Sequence, residues 1–128
     1  MNWEKVAKFW IEEAEEAIGV ADHLFEKGDF SYSLFFGHLA VEKLLKAIYV
    51  AKKKEQAPYM HQLKRLAELA GLELTAEQAD ELLRISAFNL ESRYPDENRT
   101  FRKKCNREFT EKELKKIKEI CQWLKSKF

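Results

Sequence analysis

Glycine and proline are scarce in this chain, 4 and 2 among 128 residues, which excludes collagen-like, low-complexity and turn-rich β architectures. Only two cysteines occur, Cys105 and Cys121. They form no Cys-x-x-Cys and have no histidine at ligand spacing, so no disulfide framework and no zinc site is expected, and both are read as reduced thiols. Long apolar runs are missing too. The longest stretch free of Asp, Glu, Lys and Arg is Phe30 to Val41, well short of the roughly 20 residues that a membrane helix needs. Residues 3–16 mix Glu and Lys with apolar groups and build no secretory h-region, so a cytoplasmic protein without a membrane segment is expected. Nor is there an excess of charge of either sign: 23 Lys+Arg against 22 Asp+Glu leave a net charge of +1. No global field draws nucleic acid or lipid, and any polyanion site has to be a local patch. There is no Gly-x-Ser-x-Gly, no Walker-type loop and no dinucleotide fingerprint, and the three histidines are dispersed, so no cofactor and no metal are expected.

What is present reads as helix. Hydrophobic residues make up 45% and charged residues 35%, and a chain of this length buries one proper core, giving a single domain over residues 1–128. Glu and Lys outnumber Asp and Gln, a bias of thermophile proteins. Trp3, Ala7, Trp10, Ala14, Ala17, Ala21 and Leu24 alternate steps of four and three, predicting a helix over about 3–27 that ends at Gly28. A second, over about 30–54, turns Leu34, Val41, Leu45 and Ile48 to the core, while Phe35, Leu39, Glu42 and Lys46 lie on a face read as an interaction surface. His61 opens a short third helix that stops at Gly71. Thr75 and Gln78 form a capping box for a fourth over about 76–92, expected to bury Ala79, Leu82, Leu83, Ser86 and Leu90 and to end before Pro95. A loop of about fifteen residues follows, and Thr110 with Glu113 reads as the capping box of the last helix. The fold class is all-α, an up-and-down bundle of four longer helices plus one short one.

Charge is segregated along this pattern. Residues 1–30 hold eight acidic and three basic groups, whereas Ser92 to Arg107 carry Arg93, Arg99, Arg102, Lys103, Lys104 and Arg107 against Asp96 and Glu97, with Tyr94 and Phe101 among them. Cations interleaved with aromatics suit a phosphate backbone and a stacked base; the alternative is a solvated loop that pairs with the acidic first helix. His38 and Glu42, one turn apart, are the acid–base candidates, because a carboxylate orients an imidazole and raises its pKa; the alternative is a packed histidine. His61 is read as helix entry and loop packing. Phe35 and Leu39 are the candidate dimer contacts.

Three segments together resemble the HEPN domain family: Asp29-Phe30-Ser31-Tyr32 with His38-Leu39-Ala40-Val41-Glu42-Lys43-Leu44-Leu45-Lys46-Ala47, Pro58 to His61, and Glu91-Ser92-Arg93-Tyr94-Pro95-Asp96. The resemblance covers essentially the whole chain. It marks Glu42, Lys43, Lys46, Arg93, Tyr94, Pro95 and Asp96 as family-motif positions. It implies a helical homodimer, often paired with a minimal nucleotidyltransferase in a two-component, toxin–antitoxin-like module, with nucleotide or RNA as ligand. Many members are metal-independent ribonucleases with Arg and His separated by four to six residues. That spacing places Glu16, Ala17 and Ile18 before His23, Ser31, Tyr32 and Ser33 before His38, and Lys54, Glu55 and Gln56 before His61, while Asn89, Leu90 and Glu91 follow Arg84. The ribonuclease motif is absent, so the expectation is a non-catalytic binding module. A divergent ribonuclease using His38 and Glu42, or a purely structural protein, is the alternative.

Overall fold

The computed structural model describes all residues, 1–128, as six helices and no strand: α1 (Trp3–Glu26), α2 (Phe30–Lys53), α3 (Leu63–Leu69), α4 (Ala76–Arg93), α5 (Thr100–Lys104) and α6 (Arg107–Lys125). Four are long and two are short, one more short helix than the periodicity predicts, because Thr100–Lys104 coils within the expected loop. No helix is long and apolar enough to cross a membrane.

α1 and α2 form an antiparallel hairpin. Ala7, Ala14, Ala17 and Ala21 are all buried on α1, and their small side chains let α2 approach closely, so that the Ser33 hydroxyl donates to the Ala21 carbonyl at 2.7 Å. The turn between them is a Schellman motif, with Asp29 N–H on the Leu24 carbonyl and Gly28 N–H on the Phe25 carbonyl. Gly28 sits at φ +84°, a conformation that glycine adopts without a Cβ penalty. α2 is the central helix and packs on α1, α3, α4 and α6, which explains the breadth of its apolar surface. At its crossing with α6, a Cβ on Gly37 would stand 2.8 Å from the Ile117 side chain. The absent side chain sets how near the two helices lie.

Two parts of the sequence pattern fold otherwise than expected. α6 starts three residues before the predicted box: Asn106 Oδ1 accepts the Phe109 N–H at 2.8 Å, and Thr110 and Glu113 are buried within the helix. A buried Thr inside the first turns cannot act as the cap. On α4 the core face is Leu82, Ile85 and Phe88, so Leu83 and Leu90, expected inside, are 54% and 62% exposed.

Candidate functional site

The chain between α2 and α3 is stitched down at several points. Lys54 ends α2 in the left-handed conformation at φ 54°, and Pro58 breaks any helical continuation. His38 Nε2–H donates to the His61 carbonyl at 3.2 Å. The Leu63 N–H, at the start of α3, donates to the Ser86 hydroxyl of α4 at 2.9 Å, which supplies the cap that Gln62 does not. His61 therefore precedes α3 rather than opening it, and it lies against the middle of α2.

There it meets Glu42. This carboxylate is 4% exposed; its Oε1 accepts from His61 Nδ1 at 2.7 Å and its Oε2 from Lys46 Nζ at 3.1 Å. Lys46 is buried as well, its ammonium 5.4 Å from the Trp10 ring and 6.0 Å from the Tyr59 ring. A buried carboxylate needs such compensation, since its desolvation would otherwise outweigh what burial gains. The face of α2 read from sequence as an interaction surface is thus largely covered by the chain itself: Glu42 and Lys46 are buried, and Phe35 and Leu39 are half-buried.

The acid–base pairing expected between His38 and Glu42 is made instead by His61. His38 Nε2 is 3.9 Å from Glu42 Oε1, beyond hydrogen-bond reach, and the His38 side chain is wholly buried. Burial pushes its pKa below the ordinary imidazole value; the His61 carbonyl and Glu42 pull the other way, and the charges of His61 and Arg93 add to the lowering. Its Nδ1 has no partner. His38 is a neutral packing residue, whereas the His61 side chain is half-exposed, with Nδ1 committed to Glu42 and Nε2 left without a hydrogen-bond partner. Sequence spacing could not show this, because 19 positions separate Glu42 from His61.

Across a cleft of about 590 Å³ from Tyr59 and His61 stands the C-terminal half of α4, ending in Arg93. The Arg93 Nε donates to the Asn89 carbonyl at 3.3 Å and its Nη2 to the Asn89 side chain. The guanidinium also lies 5.6 Å from the Phe35 ring and 5.0 Å from the Tyr94 ring. Arg93 has no carboxylate within ion-pair distance; its polar partner is Asn89. Asp96 ties down the turn after α4, accepting from the Thr100 N–H at 2.7 Å and the Thr100 hydroxyl at 2.6 Å. The Thr100 hydroxyl, then the backbone amide, holds its carboxyl below the usual range.

The other cations of the basic segment line the start of α2. The Arg102 guanidinium lies 5.8 Å from the Tyr32 ring, one helical turn from Phe35 and its Arg93. Arg107 lies 5.1 Å from Phe25 and 5.2 Å from Phe30, around the end of the hairpin. Lys104 lies 5.1 Å from Phe109, and Arg99 and Lys103 are exposed. None of these six cations comes within 4 Å of a carboxylate. The acidic groups of α1 pair elsewhere, Glu13 with Lys43, Asp22 with Lys118 and Glu15 with Lys125. Pairing between the basic segment and α1 within one molecule does not occur. A groove of about 680 Å³ between α1 and α6 is bridged by the 2.7 Å Lys118–Asp22 pair. No three His, Cys, Asp or Glu side chains converge as a metal site would require.

The sequence matches the HEPN domain family over residues 7–127. Among solved structures, TT1696 from Thermus thermophilus is similar in fold, with a TM-score of 0.79 and 21% identity over 95% of this chain and 98% of that chain. No curated protein sequence matches the chain.

Proposed function

This chain belongs to the HEPN domain family, and from that membership and the placement of its cations we propose that it is a non-catalytic module binding the phosphate of a nucleotide or of RNA. In this reading it works in the cytoplasm as a homodimer beside a minimal nucleotidyltransferase. One observation carries the ligand class: Arg93, Arg102 and Arg107 each lie within 6 Å of an aromatic ring centroid, and none is paired with a carboxylate. A guanidinium held over a ring face keeps in-plane donors for a phosphate, although in Arg93 the Nε and Nη2 donors are already taken by Asn89 and only Nη1 is without a partner. The neighbouring rings offer faces to bases, the combination that single-stranded nucleic acid uses.

Fluorescence anisotropy with labelled single-stranded RNA tests this. Changing Arg99, Arg102 and Arg107 together to Ala is expected to weaken binding roughly tenfold or more and to flatten its salt dependence, since each phosphate contact contributes to the slope, while the helical circular dichroism is retained. Unchanged affinity refutes it. Sedimentation and co-purification test the homodimer and the nucleotidyltransferase partner in turn.

A second reading, metal-independent RNA cleavage, is favoured by the His61–Glu42 pair, because a carboxylate-oriented imidazole facing the same cleft as an arginine is a general acid–base arrangement. A gel of RNA incubated with EDTA separates the readings. Cleavage that persists in His38→Ala and vanishes in His61→Ala establishes the second, and intact RNA in wild type the first.

A further inference from the structure

The start of α2 is an open set of donors. A helix leaves its first amide N–H groups without an intrahelical partner, and those of Phe30, Ser31 and Tyr32 find none elsewhere in the chain; the first α2 amide to be bonded is that of Ser33, on the Asp29 carbonyl at 2.9 Å. Asp29 stands at the cap position, but its carboxylate caps no amide, and no acidic residue occupies the first turn. An uncapped end alone identifies no site, since water satisfies it. A second observation does. A cavity of about 230 Å³ lies at this end, lined by Ser31, Tyr32, Arg102 and Cys105 together with Asp29 and Phe30, and Ser31, 5% exposed, brings to it a hydroxyl that makes no hydrogen bond within the chain. A hydroxyl buried to that degree gives up water and needs another partner. The donors are held in place, because the Ser31 carbonyl accepts from the Ser92 hydroxyl at 2.9 Å and the Schellman turn fixes the chain before Asp29. Arg102, 5.8 Å from the Tyr32 ring, supplies a guanidinium with no ion-pair partner. Charge then decides what fits. Arg102 and Asp29 cancel, and the helix end adds roughly half a positive charge; a singly charged anion leaves the site near neutrality, whereas a dianion leaves it strongly negative beside Asp29.

We propose that the N-terminal end of α2 binds a carboxylate, whose oxygens accept from the free amides of Phe30–Tyr32, the Ser31 hydroxyl and the Arg102 guanidinium. The cavity is smaller than the roughly 300–1,000 Å³ of small-molecule sites, so it takes a single acidic group. A small free carboxylic acid and an Asp or Glu side chain of a polypeptide offer the same chemistry. This site stands apart from the cleft beside His61 and goes beyond RNA binding. It shares Arg102 with the basic segment, so a bound carboxylate withdraws that cation from any phosphate.

Amide NMR spectra recorded during titration with acetate, doubly blocked aspartate and inorganic phosphate, at an ionic strength held constant with chloride, test it. The expected result is a saturable shift of the Phe30, Ser31 and Tyr32 amides with the carboxylates. Affinity should fall roughly tenfold in Arg102→Gln and severalfold in Ser31→Ala, with the helical circular dichroism retained. Arg102 is exposed, so its variant keeps the fold and carries the test even where Ser31→Ala does not. Blocked aspartate binding severalfold tighter than acetate assigns the site to a polypeptide side chain, and any other order of the two assigns it to a free acid. Amides that do not move, shifts that are the same in wild type and Arg102→Gln, or phosphate binding more tightly than both carboxylates would each overturn the proposal. So would carboxylate binding that appears only in Asp29→Ala, because Asp29 would then fill the site itself.

Discussion

Replacing Lys46 by Met removes one partner of a buried ion pair and leaves the other in place. Glu42 and Lys46 are 4% and 7% exposed, with 3.1 Å between Nζ and Oε2, so solvent screens the pair little. Breaking such a pair from one side costs about 3–5 kcal/mol, because the remaining charge stays buried without its counter-ion. His61 still donates to Glu42 at 2.7 Å and keeps the cost from rising further. With a urea slope of roughly 1.5 kcal/mol per molar for a small domain, the unfolding midpoint falls by roughly 2–3 M. The double change Glu42→Leu with Lys46→Met removes both charges and fills the space with apolar groups, a replacement that is often neutral; it should recover most of the loss, within about 1–2 kcal/mol of wild type. Urea titration followed by circular dichroism measures all three proteins. A cost under about 1 kcal/mol for the single change, or a double change as damaging as the single one, would refute the account of Glu42 as a buried anchor that depends on Lys46.

The remaining predictions concern protons, thiols and caps. Burial lowers the His38 pKa, so the unfolded chain takes up a proton that the folded one refuses; stability present above about pH 6.5 is lost as pH falls below it, and His38→Gln should flatten that limb in denaturation curves taken from pH 7.5 to 5. Burial pushes the Cys105 thiol up to about 11 and the Cys121 thiol up to about 12; at pH 8 a disulfide reagent should label neither until urea unfolds the chain, and rapid labelling of the native protein would contradict their placement. Asn106→Ala removes the α6 cap and should cost about 1 kcal/mol. Thr110→Val, at a buried hydroxyl without a partner, should be neutral or stabilising; the reverse order in thermal melts would restore Thr110 as the cap.

The long helices were legible because their signals are local. Alanine spacing on α1, glycines after α1 and α3 and the Thr75–Gln78 box all act within a few residues, and each appears where the pattern places it. The site was legible only in part. Arg93 and Glu42 stand out by residue type, but His61 joins them through a loop, and no period of helix or strand encodes a contact across that span. The mistaken cap at Thr110 has a related cause. Asn106 and Thr110 both suit a cap, and the choice falls to Asn106 because Phe101 and Cys105 are buried just before it, which sets where α6 must begin.

The two largest departures from helical patterning are linked through His61, which lines the cleft with Leu83 and Leu90 and bonds to Glu42 behind it. On α2, a carboxylate and an ammonium lie inside; on α4, two leucines lie outside. Each costs stability on its own: buried charges lose hydration, and exposed leucines give up the burial free energy of about 2 kcal/mol that a core position provides. In a sequence whose other levels agree, such departures concentrate where function imposes its own demands. The buried pair fixes the His61 ring, and Asn89, 5% exposed, clamps Arg93 from beneath. That clamp is made within α4, between positions four apart, so it turns with the helix, and the rotation that exposes Leu83 and Leu90 also carries the oriented guanidinium to the edge of the cleft.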